Sequence, residues 1–349
     1  MSAIPTHPDQ FDTAWLESAL KAPSGSLSGF SHETIGTGQM CDSFRISLEW
    51  DGHDGPEHIV AKCPSTNPDS RQIAKTLRNY LFEISWYQDL ADEISVSCPP
   101  CYHAEIAENE VDFALLLGDM SPARQGDQLK GATLDMIQAA IREAAKLHAP
   151  LWDSPRLSDY PWFNYGSANK ELVRTLLPGL YQGFKDRYRE RLAPEIFKMG
   201  DEFIDRINPY LDQPLTTPTV VHGDFRIDNL LFNAESGAVT VVDWQTVGLG
   251  SGPGDIAYLI GTSIADPKIR AAEEGRLFGA YLDQLAEQGA EIDLDANRLA
   301  YRRSAFSGFI MAIFASMNVE RTERGDEMFA VMAERPAQQI LDLDSLGSF

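Results

Sequence analysis

Three polar residues between positions 224 and 243 have the types and spacing for metal-assisted chemistry. Asp224 and Asn229 stand in a polar turn after an apolar run at 220–221, and Asp243 ends a later apolar run at 239–242. Short β-branched runs between turn residues predict small strands, so the three side chains can converge at strand ends. Two carboxylates and one amide oxygen suit Mg²⁺ better than Zn²⁺. An aspartate alone is more often a turn former, so this interpretation depends on the combination.

This stretch resembles the catalytic loop and metal motif of the aminoglycoside phosphotransferase/choline-kinase family, especially its bacterial branch similar to ecdysteroid-kinase-like phosphotransferases. The resemblance lies in His222-Gly223-Asp224, in Asn229 five residues after the aspartate, and in Asp243-Trp244. The spacing from Asp224 to Asn229 is also that of the protein-kinase catalytic loop. The resemblance implies an α+β, protein-kinase-like fold of two lobes. The small lobe would hold an antiparallel sheet and one key helix, and the larger lobe would be mainly helical.

The resemblance also implies an activity, the transfer of phosphate from ATP, or GTP, to a hydroxyl group of a small molecule. Asp224 would accept the hydroxyl proton, and Asn229 and Asp243 would hold Mg²⁺. Arg226 matches the position of a lysine in protein-kinase catalytic loops and would steady the γ-phosphate; a surface arginine is the alternative. Asp255 matches an aspartate that is braced against the catalytic loop in this family, and its position also fits a helix N-cap.

Further upstream, residues 57–61 predict a strand whose apolar run ends on Lys62. A lysine at the end of a strand ordinarily faces solvent, but the resemblance implies that Lys62 holds the α- and β-phosphates. The pattern at 73–90 predicts a helix with Glu83 on its apolar side. A carboxylate in that position needs a partner, and Lys62 is the natural one. Glu93, at the end of the same helix, is the competing candidate.

Two glycines, Gly36 and Gly38, precede a strand that the alternation at 44–48 predicts. In kinase-like folds a glycine loop covers the phosphates, because glycine allows backbone N–H groups to approach closely. Cys41 stands where a third glycine would fall, so a plain hairpin turn remains the alternative.

The apolar run at 112–117 predicts the last strand of the small lobe. The resemblance implies that backbone groups near Leu117 and Met120 bond the adenine edge, and that Leu231 and Val242 floor the adenine pocket. It also divides the chain into a nucleotide-binding lobe at 1–118 and a catalytic and substrate-binding lobe at 119–349.

Composition limits the partners and the location that we expect. The chain has 349 residues and a net charge of −23, which disfavours binding to nucleic acid or to anionic membranes. No signal peptide is recognisable at the N-terminus, and the longest uncharged stretch, 304–319, is short for a membrane span. Cys98 and Cys101 form a C-x-x-C without the second pair that a zinc site needs. We therefore expect structural thiols and a cytoplasmic protein.

Three alternatives stay open at this stage. A protein kinase is disfavoured because only eleven residues separate Asp243 from Asp255, and Trp-Gln replaces Phe-Gly after Asp243. A catalytically inactive nucleotide-binding module would bind nucleotide without turnover. A metal-dependent hydrolase would use His222 as a ligand and act without nucleotide. We expect His222 to brace the loop, and His148 to be a packing or cap residue. The acceptor is not predicted.

Overall fold

The computed structural model describes residues 4–36, 40–319 and 321–349. The chain forms two compact units. The first consists of Met1–Ala123 with Val241–Thr246, and the second of Arg124–Thr240 with Val247–Phe349. The sequence placed a boundary after residue 118, whereas the N-terminal part of the first unit ends at Ala123. The return of 241–246 to the first unit was not predicted, and its cause is given with the site below.

The first unit is built on one antiparallel sheet. Its strand order is β1-β2-β3-β5-β4, and adjacent strands pair in antiparallel register. The strands are β1 (Leu27–Ile35), β2 (Cys41–Trp50), β3 (His58–Pro64), β4 (Cys101–Ile106) and β5 (Phe113–Gly118). The helices are α1 (Thr13–Ala19), α2 (Pro68–Leu77) and α3 (Asn79–Ser85), and a π-helical turn follows at Trp86–Leu90.

Alternation along the strands decides which side chains enter the core of this unit. Phe44 and Ile46 of β2 and Ala61 of β3 are buried in one cluster with Leu16 of α1. Because successive side chains of a strand point to opposite faces, Lys62 faces away from that cluster. The lysine is therefore available to the helices on the other face of the sheet.

The helix predicted over 73–90 is in fact interrupted. Arg78 ends α2 with φ +58°, in the left-handed region, and α3 starts at the next residue. The Nε of Arg78 donates to Glu110 Oε2 at 2.8 Å, which holds the break in place. Because the helix is broken here, the direction of the Glu83 side chain is set by α3 and does not continue the face of α2. The competing candidate, Glu93, lies beyond the π-helical turn and is exposed.

The second unit is mainly helical, with short strands that carry the polar loop. The strands are β6 (Arg124–Gln125), β7 (Pro218–Val221), β8 (Leu230–Phe232), β9 (Val239–Val241) and β10 (Gly248–Ser251). The helices are α4 (Leu134–His148), α5 (Gly166–Tyr188), α6 (Pro194–Asp205), α7 (Ile207–Leu211), α8 (Gly252–Ser263), α9 (Pro267–Glu287), α10 (Leu294–Ser304), α11 (Phe306–Asn318) and α12 (Glu323–Asp342). Strands β7 and β10 form an antiparallel pair, and β6, β8 and β9 form a three-stranded sheet.

The apolar helix α11 accounts for most of the uncharged stretch noted in the sequence. Its residues Phe306, Phe309 and Ile313 are buried in the core of the second unit. Among the described residues, none of the helices combines the length and apolar character that a membrane crossing requires.

Candidate active site

A buried lysine shared by two carboxylates is the centre of the candidate site in the first unit. The Nζ of Lys62 lies 2.5 Å from Glu83 Oε1 and 2.9 Å from Asp243 Oδ1. Lys62 is 8% exposed and Glu83 is 1% exposed. The pairing of Lys62 with Glu83 that the sequence predicted is present, and Asp243 completes the cluster. Charges this deeply buried persist only when oppositely charged partners compensate their lost hydration.

The charge state of Lys62 follows from this balance. Burial alone would lower the pKa of Lys62, but the negative charge of Asp243, together with that of Glu83, holds it well above its usual value. Burial raises the pKa of Glu83, and the ammonium of Lys62 opposes that rise. Lys62 therefore stays protonated at neutral pH. An ammonium has three N–H donors, and Glu83 and Asp243 accept from two of them.

Residues on one face of α3 and of the turn after it contact the two residues that follow Asp243. Asn79 Nδ2 donates to the Gln245 carbonyl at 2.8 Å, and Trp244 N donates to Glu83 Oε1 at 3.3 Å. The indoles of Trp86 and Trp244 stack with centroids 3.8 Å apart and planes 9° from parallel. Asn79, Glu83 and Trp86 follow the i, i+4, i+7 spacing of a helix face. These contacts explain why residues 241–246 belong to the first unit.

Asp243 itself has a strained backbone. Its φ of +66° lies in the left-handed region, which residues with a side chain rarely adopt. Such conformations persist where the surrounding contacts determine them, and they cluster at functional sites. Here the contacts of Trp244 and Gln245 fix the turn so that the Asp243 carboxylate, 42% exposed, meets Lys62.

The remaining nucleotide-site candidates lie at the ends of the sheet strands or beside them. Gly36 follows β1 with φ +71°, and Gly38 lies outside the described residues. Leu117 stands near the end of β5 and is 5% exposed. The carbonyl of Met120 accepts from Ala123 N at 2.9 Å, in the turn after that strand.

Two further adenine-pocket candidates lie within the stretch 224–243. Leu231 is the middle residue of β8 and is half-buried. Val242, also half-buried, directly precedes Asp243.

In the second unit, the candidate base Asp224 lies in the loop after β7 and is hydrogen-bonded by two residues of the same loop, Arg226 and Asn229. The Nε of Arg226 donates to Asp224 at 3.2 Å, and its guanidinium also bonds the carboxylate of Asp228. Arg226 is 18% exposed and bonds two carboxylates, which disfavours the alternative of a surface arginine. Burial alone would lower the pKa of Arg226, but the negative charge of Asp224 outweighs it and the pKa is raised.

Asn229 holds Asp224 through its amide nitrogen. Its Nδ2 donates to the main-chain carbonyl of Asp224 at 2.9 Å and to Asp224 Oδ2 at 2.8 Å. Because the amide nitrogen and oxygen lie on opposite sides of the same carbon, the Oδ1 of Asn229 is directed away from Asp224. That oxygen is a ligand of the kind that Mg²⁺ takes.

A buried aspartate braces the start of this loop. Asp255 accepts from His222 N at 2.7 Å and from Gly223 N at 3.0 Å. It lies in the first turn of α8, whose N-cap is Ser251, so the predicted N-cap role for Asp255 is wrong. The ring Nδ1 of His222 accepts from Asp224 N at 3.3 Å. His222 is fully buried, and its contacts are those of a brace.

The brace continues into His148, which was expected to be a packing or cap residue and is fully buried, and into Tyr281 and Tyr258, which the sequence did not single out. His148 Nε2 lies 3.2 Å from Asp255 Oδ2, and its Nδ1 lies 2.8 Å from the Tyr281 hydroxyl. Tyr258 follows Asp255 by three residues on α8, and its buried phenol feels the charge of Asp224. Burial and then that charge raise the pKa of Tyr258 well above its usual value. Helical i, i+3 spacing from Asp255 was the one signal that could have identified Tyr258.

Similarity to solved structures defines the fold. A choline kinase from Cryptosporidium parvum Iowa II matches with a TM-score of 0.57 at 13% identity, covering 99% of this chain and 95% of that chain. An amicoumacin kinase in complex with AMP-PNP and Ca²⁺ matches with a TM-score of 0.56 at 12% identity, covering 94% of each chain. The fold is therefore protein-kinase-like, as the sequence predicted.

Residues 38–294 match the ecdysteroid kinase-like family, and the chain belongs to that family. The predicted resemblance is thus confirmed. Acyl-CoA dehydrogenase family member 10 of Mus musculus is 51% identical over 199 residues, which are 56% of this chain and 17% of that protein. The chain spans less than a fifth of the length of the curated relatives it matches.

Replacing Trp86 with alanine should destabilise the first unit, because the substitution removes a fully buried indole stacked on Trp244. We expect the free energy of unfolding to fall by about 3–5 kcal/mol, as for other large aromatic truncations in a core. Urea unfolding measures the change, and circular dichroism should show the loss of coupling between the two indoles. Trp86→Phe should lose clearly less. A Trp86→Ala protein as stable as the parent would mean that hydrogen bonds alone hold residues 243–245.

Replacing Asp255 with asparagine should loosen the loop that carries Asp224, because one of its two oxygens becomes a donor facing a backbone N–H. We expect faster hydrogen exchange at the amides of His222 and Gly223, corresponding to about 1.5–3 kcal/mol per charged hydrogen bond lost. Asp205→Asn, at an exposed position of α6, is the matched control and should leave both amides unchanged. Unaltered protection in Asp255→Asn would show that the loop is held by other contacts.

Proposed function

We propose that this chain is an ATP- and Mg²⁺-dependent phosphotransferase that phosphorylates a hydroxyl group of a small molecule. The observation that carries the proposal is the buried Lys62, bonded to both Glu83 and Asp243. Phosphoryl transfer needs positioning and charge neutralisation more than covalent chemistry by the protein. A lysine that is held in place and kept protonated would position the α- and β-phosphates of ATP, or of GTP, and neutralise their charge.

Carboxylate and amide oxygens are donors of the kind that a magnesium ion takes. The Oδ1 of Asn229 is directed away from its hydrogen-bond partner, and the Asp243 carboxylate is partly exposed. We propose these two side chains as the ligands. When bound, Mg²⁺ would neutralise charge on the transferring phosphate.

The acid–base role falls to Asp224 in this proposal. Arg226 and Asn229 orient its carboxylate through the contacts described above. An oriented carboxylate can accept the proton of an acceptor hydroxyl. Arg226 would also steady the γ-phosphate. The backbone at Gly36 and Gly38 would cover the phosphates.

The adenine contacts are proposed from the resemblance. Leu117 and Met120 would bond or contact the adenine edge, and Leu231 and Val242 would contact its face. A cytoplasmic location is also proposed, because Cys41, Cys63, Cys98 and Cys101 are free thiols.

Three observations weigh against other functions. The buried ring of His222 accepts a hydrogen bond from Asp224 N, which disfavours its use as a metal ligand in a hydrolase. An inactive module is disfavoured because base, lysine and metal positions all keep suitable side chains. The mouse relative is named an acyl-CoA dehydrogenase, but the match covers only 17% of it, so we propose no dehydrogenase activity for this chain.

Replacing Asp224 with asparagine should remove most turnover, because the amide cannot accept the proton. We expect a loss of about 10²–10⁴-fold, measured as ADP release with a panel of hydroxyl compounds, while calorimetric affinity for Mg-ATP stays close to that of the parent. Asp228→Asn, in the same loop and also bonded to Arg226, is the matched control and should lose less. Near-normal turnover in Asp224→Asn would rule out this role.

Replacing Lys62 with methionine should weaken the binding of ATP and ADP while leaving adenosine, which lacks phosphates, unaffected. Loss of a hydrogen bond from a charged donor costs about 1.5–3 kcal/mol, or roughly tenfold or more in affinity. Lys75→Met, at an exposed position of α2, is the control for loss of charge. Equal affinities for ADP in the Lys62→Met and parent proteins would contradict a phosphate-binding role.

A further inference from the structure

A cavity within the second unit has a chemical character that the proposed phosphotransfer does not use. It measures about 320 Å³ and is lined by residues of α5, α7, α10 and α11, by the loop after α7 and by Ser251 at the start of α8. Small-molecule pockets in proteins begin at roughly this volume. The cavity is therefore large enough for a compact ligand.

Most of the wall is apolar. Val173 of α5, Leu211 of α7 and Ile310 of α11 contribute to it, and Leu215 from the loop after α7 is 43% exposed. An apolar ligand that covers this leucine would remove its side chain from water and gain hydrophobic free energy. The wall therefore fits a hydrocarbon body.

Two cations line the same cavity, and no carboxylate does. Asp and Glu make up 52 of the 349 residues, yet the described lining contains Lys170 and Arg303 and no acidic side chain. Within the described residues neither cation has a carboxylate in ion-pairing distance. Arg303 donates to the Ser348 carbonyl at 2.8 Å, and burial without a compensating charge lowers its pKa. Neighbouring Arg302, in contrast, lies 3.6 Å from an Asp344 oxygen.

Ser251, directly before α8, adds a hydroxyl to the cavity wall. Ser251 is the N-cap of this 12-residue helix, but its side chain makes no capping hydrogen bond. Its Oγ is buried and has no hydrogen-bond partner among the described residues. An unpartnered hydroxyl and two cations without a described carboxylate partner thus share one cavity.

We propose that this cavity binds a small amphipathic monocarboxylate. The carboxylate is held by Lys170, Arg303 and Ser251, and the hydrocarbon body lies against Val173 and Leu215. A neutral or cationic amphiphile lacks the charge that the two cations require. This binding does not depend on nucleotide, so it can be measured without turnover and stands or falls separately from the phosphotransferase proposal.

The test is calorimetric titration of the full chain with octanoate, octanol and octylamine, which have the same hydrocarbon body and different head groups. We expect octanoate to bind saturably and the other two to bind at least tenfold more weakly. Lys170→Gln and Arg303→Gln should each weaken octanoate about tenfold, the size expected for one charged hydrogen bond. Arg302→Gln removes the same charge from the neighbouring position and should leave octanoate affinity unchanged.

Folding is controlled within the same set. Lys170 is exposed, so its replacement tests the charge without disturbing a core, and Arg303→Lys should retain most of the affinity because it keeps the charge. The proposal is overturned if octanol binds as tightly as octanoate, if Arg302→Gln weakens octanoate as much as Arg303→Gln, or if octanoate shows no saturable binding.

Discussion

The buried ammonium of Lys62 is the constraint from which the arrangement of the first unit follows. A lysine on the far side of an otherwise apolar strand loses its hydration, and in a protein this loss is tolerated only with compensating carboxylates. Glu83 supplies one from α3, and Asp243 supplies the other from a segment 181 residues further along the chain. The chain must therefore return to the first unit at 241–246. The stacked indoles of Trp86 and Trp244 then add apolar burial, which makes the returning segment part of that core.

The two units position their candidate carboxylates, Asp243 and Asp224, by the same kind of contact. In the first unit, Glu83 accepts from the backbone N–H of Trp244, the residue directly after Asp243. In the second unit, Asp255 accepts from the backbone N–H groups of His222 and Gly223, directly before Asp224. In each unit, a buried carboxylate on a helix fixes the backbone beside a candidate side chain without using that side chain itself. A charged acceptor is well suited to this, because its hydrogen bonds to N–H groups are stronger than neutral ones.

The sequence predicted the family, the fold class and the Lys62–Glu83 pair, because these depend on local spacing and on the rule that buried charges need partners. It missed the break at Arg78, since an arginine in the left-handed region carries no marker of the kind that glycine or asparagine gives. It also left Arg226 open between two readings. The deciding partner, Asp228, is only two residues away, but spacing in a loop does not fix direction. His148 and Tyr281 join the brace through contacts more than a hundred residues apart, which no local pattern contains.

Environment, rather than residue type, separates the two arginines that matter most in the second unit. Arg226 has two carboxylates within bonding distance, so its charge is neutralised inside the loop and its pKa is raised. Arg303 has a backbone carbonyl and no described carboxylate, so burial lowers its pKa and its charge has no internal counterpart. A partly buried cation without a counter-charge loses hydration free energy that nothing restores. The missing partner is notable in a chain with a net charge of −23, where carboxylates are abundant. A negatively charged ligand would supply the missing counter-charge. The apolar wall around Arg303 would favour those anions that also carry a hydrocarbon body.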